Sequence, residues 1–135
     1  MLTAGKLVGI LTTTDYDAAR RFYEGVLGFV FVNQDQFALA IRAGENMIRI
    51  SKVEAFQAAL GTVLGWEVED VKETVLWLQS RGVMTEKYAF VEDHELGIWS
   101  TPNGDQVAWF KDPDGNVLSI SHHAQGQSRP RLSTS

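Results

Sequence analysis

The feature that most constrains this chain is a pattern that occurs twice: a short β-type run, an aspartate opening an amphipathic helix, then further β-type runs parted by turn residues. In the first copy, residues 7–12 are apolar and β-compatible, and Thr13, Thr14 and Asp15 follow as residues that favour turns and helix starts. Over 17–27 the apolar residues Ala18, Ala19, Phe22, Tyr23, Val26 and Leu27 recur at three- and four-residue spacing, which predicts a helix, and Gly28 supplies its stop. Residues 29–32, 37–41 and 47–51 are short β-type runs. Asn33-Gln34-Asp35 and Gly44-Glu45-Asn46 separate them with good turn chemistry, so an antiparallel meander is expected.

The second copy starts after a connector, 53–60, whose composition suits a short helix. Residues 63–68 read as a strand. Asp70, with Glu73 three residues on, has the spacing of a capping box, and Val71, Thr74, Val75, Trp77 and Leu78 carry the helix to about Arg81 and Gly82. Strands are expected around 86–91, 97–100, 107–111 and 116–121, with turns at Pro102-Asn103-Gly104-Asp105 and Asp112-Pro113-Asp114-Gly115. Superposing Asp15 on Asp70 brings Val8 onto Val63, and Asn46 on Asn116 brings Arg49 onto Ser119; the second copy has the longer loop, around 92–96. Repeats of this kind usually place their sheets face to face. Residues 1–123 therefore read as a single α+β domain, with module 1 at about 5–52, a connector at 53–61 and module 2 at about 62–122. Residues 124–135, polar and containing Gly126 and Pro130, read as a flexible tail.

Composition narrows the partners. A chain of 135 residues with 44% hydrophobic content can bury roughly two-thirds of its unfolded surface. Its net charge of −5, with basic residues scattered apart from Arg129 and Arg131, argues against nucleic acid, which requires a clustered basic face. Without cysteine there is no disulfide, thiol nucleophile or thiolate metal site. Residues 1–6 lack the apolar stretch of a signal peptide and no apolar run approaches the ~20 residues of a membrane span, so a cytoplasmic protein with no membrane partner is expected.

Two stretches go further. Asp15-Tyr16-Asp17-Ala18-Ala19-Arg20-Arg21-Phe22-Tyr23-Glu24-Gly25-Val26-Leu27-Gly28-Phe29 resembles the first-helix signature of the vicinal oxygen chelate (VOC) superfamily of glyoxalases, bleomycin- and fosfomycin-resistance proteins and extradiol dioxygenases. Trp109-Phe110-Lys111-Asp112-Pro113-Asp114-Gly115-Asn116 resembles its closing hairpin. The resemblance covers about residues 5–122. It implies two βαβββ modules forming a half-open, barrel-like sheet around a cavity, the glyoxalase/bleomycin-resistance fold, often completed by a homodimer partner. Metal-dependent members hold a divalent cation with His, Gln or Glu from four strands, because such cations need imidazole nitrogen or carboxylate oxygen at roughly 2.0–2.2 Å. The matching positions here are Val8, Arg49, Val63 and Ser119, and their neighbours Leu7, Ile48, Leu64 and Leu118 are apolar. The resemblance thus implies the frame without the metal, and no cofactor.

Other chemistry is sparse. Strand alternation that turns Ile48 and Ile50 towards the helix layer turns Arg49 towards the cavity. There it either grips a carboxylate or phosphate, or pairs with an internal acid such as Glu67 or reaches the rim. Imidazoles titrate near neutrality, and His94, Glu95 and His122 together make a metal or acid–base role only if the fold gathers them. Tyr88, Phe90, Trp99, Trp109 and Phe110 fall on the strands of module 2, and alternation sends some of these rings to the concave side, where a cavity without a metal needs flat apolar walls. Tyr88, Trp99 and Trp109, with Val8, Arg49, Val63 and Ser119, are the expected ligand-cavity residues. Asp112 and Asp114 read as turn residues. The function expected is small-molecule binding of the resistance or sequestration type. Its alternatives are a non-metal isomerase or lyase acting on a small carbonyl compound through Arg49, Glu67 or His94, and a dimeric accessory module with a vestigial cavity.

Overall fold

Where the apolar side chains fall on each strand decides which sheet face each unit closes over and which it leaves open. The computed structural model describes residues 1–124, so the expected tail lies, from residue 125 on, outside the described residues. After a 3-10 turn at Leu2–Ala4 come β1 (Val8–Thr13), α1 (α-helical over Tyr16–Arg20, π-helical over Arg21–Val26), β2 (Val30–Gln34), β3 (Leu39–Ala43) and β4 (Asn46–Lys52). They are followed by β5 (Thr62–Glu67), α2 (Val71–Ser80), β6 (Trp99–Ser100), β7 (Gln106–Lys111) and β8 (Val117–His122). The result is α+β, with two four-stranded sheets. Contacts divide the chain into two units, Met1–Val63 with Asp112–Asn116, and Leu64–Lys111 with the residues from Val117 on. Among the described residues no helix is long and apolar enough to cross a membrane.

In the first unit the strand order is β1-β4-β3-β2, with β1 parallel to β4 and the other pairs antiparallel. Leu11, Leu39, Ile41, Ile48 and Ile50 are buried, in the register that puts Ile48 beside Ile41 and Ile50 beside both Leu11 and Leu39. Ala19, Phe22, Tyr23 and Leu27 of α1 add to this core. Each large apolar side chain so buried contributes about 1.5–3 kcal/mol before entropy is counted. Asp15 caps α1 by accepting from the amides of Asp17 (2.9 Å) and Ala18 (3.2 Å), as residues at helix starts do.

The second half of α1 departs from the expected α-helix. Leu27 N donates to Phe22 O, five residues back, at 2.9 Å, the wider repeat of a π turn. Tyr23 lies in that turn and donates its hydroxyl to Asp112 Oδ2 at 2.6 Å. The same oxygen accepts from Asn116 Nδ2 at 2.8 Å, and Asp112 Oδ1 accepts from the amides of Asp114 (3.0 Å) and Asn116 (2.9 Å). Asp114 in turn accepts from Thr13 Oγ1, from Thr14 N at 2.9 Å and from Thr14 Oγ1 at 2.7 Å, while Asn116 Nδ2 also reaches Thr12 O at 3.0 Å. Both aspartates are thus occupied in joining a turn to the end of β1 and to α1.

In the second unit the strand order is β5-β8-β7-β6, with β6, β7 and β8 antiparallel. Helix α2 lies against β7 and β8. Val71, Val75 and Leu78 are buried, as are Ala108, Phe110, Leu118 and Ile120. Asp70 Oδ1 accepts from Glu73 N at 3.0 Å, so the cap falls where its spacing predicts.

Two expectations are corrected. The connector 53–60 forms no helix: six of its eight residues are exposed and none is buried, and a segment this short with so little face to bury cannot offset the cost of nucleating one. Residues 86–91 form no strand. Thr85 Oγ1 donates to Leu96 O at 2.6 Å, Lys87 Nζ donates to Thr85 O and Oγ1 at 2.9 Å each, and Val91 N turns back to Tyr88 O at 3.0 Å. Local bonds of this kind compete with a ladder and here replace it.

Candidate aromatic binding site

The second unit covers one face of its sheet with α2 and leaves the other open. On β7, alternation separates the buried Ala108 and Phe110 from Val107 and Trp109; on β8 it separates Leu118 and Ile120 from Ser119 and Ser121. Trp109 is paired with Ser119, and Trp99 on β6 with Val107, so both indoles share the open face. The loop between α2 and β6 adds Tyr88 and Phe90. Buried Val83, Thr85, Val91 and Ile98 anchor that loop, and Glu86 N donates to Trp109 O at 2.7 Å.

These four rings touch. Tyr88 and Phe90 stack at 5.7 Å between centroids, Tyr88 meets Trp109 edge-on at 5.5 Å, and Phe90 meets Trp109 and Trp99 edge-on at 5.7 and 6.1 Å. Trp99 and Trp109 lie 6.3 Å apart. Such pairs contribute about 0.5–1.5 kcal/mol each beyond burial. Yet the cluster is far from sealed, since Phe90 is 59% and Trp99 37% exposed. Burial and the nearby Glu86 raise the Tyr88 phenol above its ordinary value, so at neutral pH it stays a neutral hydroxyl.

Two glycines permit this geometry. Gly97 has φ +75, and a Cβ there would lie 2.7 Å from Thr85 Oγ1 and 2.8 Å from Glu86 O. A Cβ on Gly65 of β5 would fall against Ser119 Oγ. Next to the rings, Phe90, Glu92, Asp93, Ile98, Trp99 and Ser100 enclose a recess of about 290 Å³. Asp93 accepts from the amides of Leu96 (3.0 Å) and Glu95 (3.1 Å), and these bonds, the Leu96 one foremost, hold its carboxyl below the usual range.

Of the residues singled out in the sequence, Tyr88, Trp99 and Trp109 are brought together, whereas Phe110 is core. Phe90 sits in a turn, where strand alternation gives no facing, and the recess acids come from the loop. His94 is exposed on that loop. His122 bonds through Nδ1 to Val68 O at 3.1 Å, and with Glu67, Val68 and Glu69 it lines a separate recess of about 190 Å³. In the first unit, Val8 and Arg49 lie on the open face of β1 and β4, with Arg49 beside Ile10 and Ala40. The Arg49 charge acts on Asp35, whose carboxyl is lowered chiefly by the amides of Phe37 and Ala38.

A divalent cation does not suit the four family positions. Val8 and Val63 carry no donor atom, Arg49 carries positive charge, and Ser119 offers one neutral hydroxyl. Among the described residues no three histidine, aspartate or glutamate side chains gather closely enough to hold an ion.

Comparison with known proteins agrees with this architecture. The family model described as Glyoxalase/Bleomycin resistance protein/Dioxygenase superfamily matches residues 5–120. Among curated proteins none matches the chain. Among solved structures, a member of that superfamily from Sphaerobacter thermophilus superposes with TM-score 0.70 at 21% identity, over 91% of this chain and 100% of that one. A glyoxalase family protein from Enterococcus faecalis gives 0.65 at 24% identity, over 90% and 99%. A lactoylglutathione lyase from Agrobacterium tumefaciens gives 0.67 at 19% identity, over 88% and 93%. At these identities the likeness is one of fold.

Proposed function

The chain belongs to the glyoxalase/bleomycin resistance protein/dioxygenase superfamily, and from that premise we propose that it binds a small planar aromatic or amphipathic molecule without a metal, by sequestration rather than reaction. The observation that carries this reading is the cluster of Tyr88, Phe90, Trp99 and Trp109, packed ring to ring yet open to solvent. Rings needed only for folding gain most when sealed. Rings held rigid and left open are pre-organised, and a flat ligand covering them gains about 25 cal/mol for each Å² of apolar surface removed from water. Ser119 and Val63 belong to the same sheet's strands, and Val8 and Arg49 are the corresponding open-face positions of the first sheet. Together the four do not supply the donor set that a divalent cation needs.

An enzymatic reading would use Arg49 as a clamp and Glu67 or His94 as acid–base on a small carbonyl compound, and no observation favours it over binding. The reading includes a homodimer, supported by the exposed Ile10 (64%) and Phe37 (70%) of the first unit, and a cytoplasmic setting, supported by the absence of cysteine. Light scattering of the purified chain tests the dimer.

Thermal-shift screening of chelator-treated protein against metabolites and aromatic drugs tests the function. A ligand at ~100 times its dissociation constant adds about 2.7 kcal/mol of stability. Stabilisation by a planar compound, lost in Trp109→Ala, is the expected result. Hits that require an added divalent cation would contradict it, and silence across the library would favour a vestigial cavity.

A further inference from the structure

The ring cluster does not end at a neutral boundary. Its outer members Phe90 and Trp99 form two walls of the 290 Å³ recess, and Glu92 and Asp93 stand on the same rim. Resting on the binding function proposed above, we infer that this recess takes the positively charged group of the ligand, so that the ligand class is planar aromatic cations bearing a quaternary or protonated nitrogen.

Three features carry the inference. Aromatic faces attract cations through their quadrupoles, by about 0.5–1 kcal/mol at exposed sites and about 2 when water is excluded, and indole does so best. Two rings meet edge-on here at 6.1 Å, with Trp99 one of them. Next, the recess lining is acidic and, among the described residues, contains no lysine or arginine. The nearest cation in the loop is Lys87, whose ammonium is engaged by Thr85 O and Oγ1 at 2.9 Å each, and whose charge helps keep Asp93 ionised. Glu95 lies in the same loop segment and leaves the balance of charge negative. Finally, Asp93 is fixed in place. One of its oxygens accepts from two amides, and its backbone carbonyl accepts from Gly97 N at 2.9 Å, so this carboxylate does not need to be ordered when a ligand arrives. An anion entering the recess would meet two carboxylates, whose repulsion the neutral Ser100 hydroxyl does not offset.

The inference is tested by isothermal titration of the chelator-treated full chain with N-methylquinolinium, with quinoline, which has the same two rings and is neutral at neutral pH, and with quinoline-2-carboxylate. We expect N-methylquinolinium to bind about tenfold more tightly than quinoline. Glu92→Gln and the double variant Glu92→Gln/Asp93→Asn should each reduce that preference severalfold, and added salt should do the same, while the circular dichroism of both variants stays that of the parent. Asparagine at 93 keeps the oxygen that accepts from the loop amides, so the loop fold is preserved. Equal binding of the cation and quinoline, both lost in Trp109→Ala, would overturn the charge assignment while leaving the aromatic site standing. Tighter binding of the carboxylate would overturn it too. Binding of none of the three by the parent chain would overturn both readings.

Discussion

Tyr23 is 1% exposed, and its hydroxyl is held by Asp112. Burial foremost, and the Asp112 carboxylate next, push this phenol far above its ordinary value of 10.0. The unfolded chain releases the proton near pH 10 and the folded one does not. The stability this group contributes is therefore complete below pH 10 and is lost as pH rises beyond it. Urea unfolding should show a steep alkaline decline in the parent. Tyr23→Phe should be less stable by about 1–3 kcal/mol at neutral pH, with a shallower alkaline decline. Asp112→Ala strips acceptors from Tyr23 and Asn116 together and should cost about 3 kcal/mol or more. Single residues also set the limit of what the sequence discloses. Period puts Trp109 and Phe110 on opposite faces, as it does Arg49 and its neighbours Ile48 and Ile50, because both strands are regular and alternate without a break, but which ring faces outward follows only from strand pairing. Period is silent on Phe90, whose facing depends on a turn closed by Val91 N and Tyr88 O.

At the scale of elements, both helices begin where their aspartates mark them, since a cap is a local bond that neighbouring residues determine. Asp70→Ala should cost about 1 kcal/mol, read from thermal unfolding. The loop from α2 to β6 is the least legible element, and the reason is physical. Tyr88, Phe90 and Val91 have strand-like composition, but what fixes the backbone is Thr85 bonding to Leu96 eleven residues on, and a glycine at 97 that lets them approach. Gly97→Ala places a Cβ within 3 Å of two oxygens at a positive φ, and should cost about 1–3 kcal/mol. Because that loop carries Tyr88 and Phe90, the variant should also lose amide-exchange protection in the loop and weaken ligand binding. Lower stability with intact binding would show that the loop does not position the rings.

At the scale of the whole molecule, the repeat and its two signatures suffice to read the family and the α+β class, because each module's core is a matter of strand period and helix spacing. The candidate site is only half legible, since an open aromatic face built from two strands and an irregular loop is a tertiary product. Elemental analysis of the purified chain should find no stoichiometric divalent metal, and a bound ion would require ligands other than Val8, Arg49, Val63 and Ser119. The chain carries four tryptophans: Trp99 and Trp109 in the ring cluster, Trp66 on β5 and Trp77 on α2 beneath Arg81. Their indole N–H resonances, followed by NMR as N-methylquinolinium is added in the presence of a chelator, test the central claim most directly. Shifts at Trp99 and Trp109 with Trp66 and Trp77 unmoved are the predicted result; shifts confined to Trp66 or Trp77, or none at all, would contradict it.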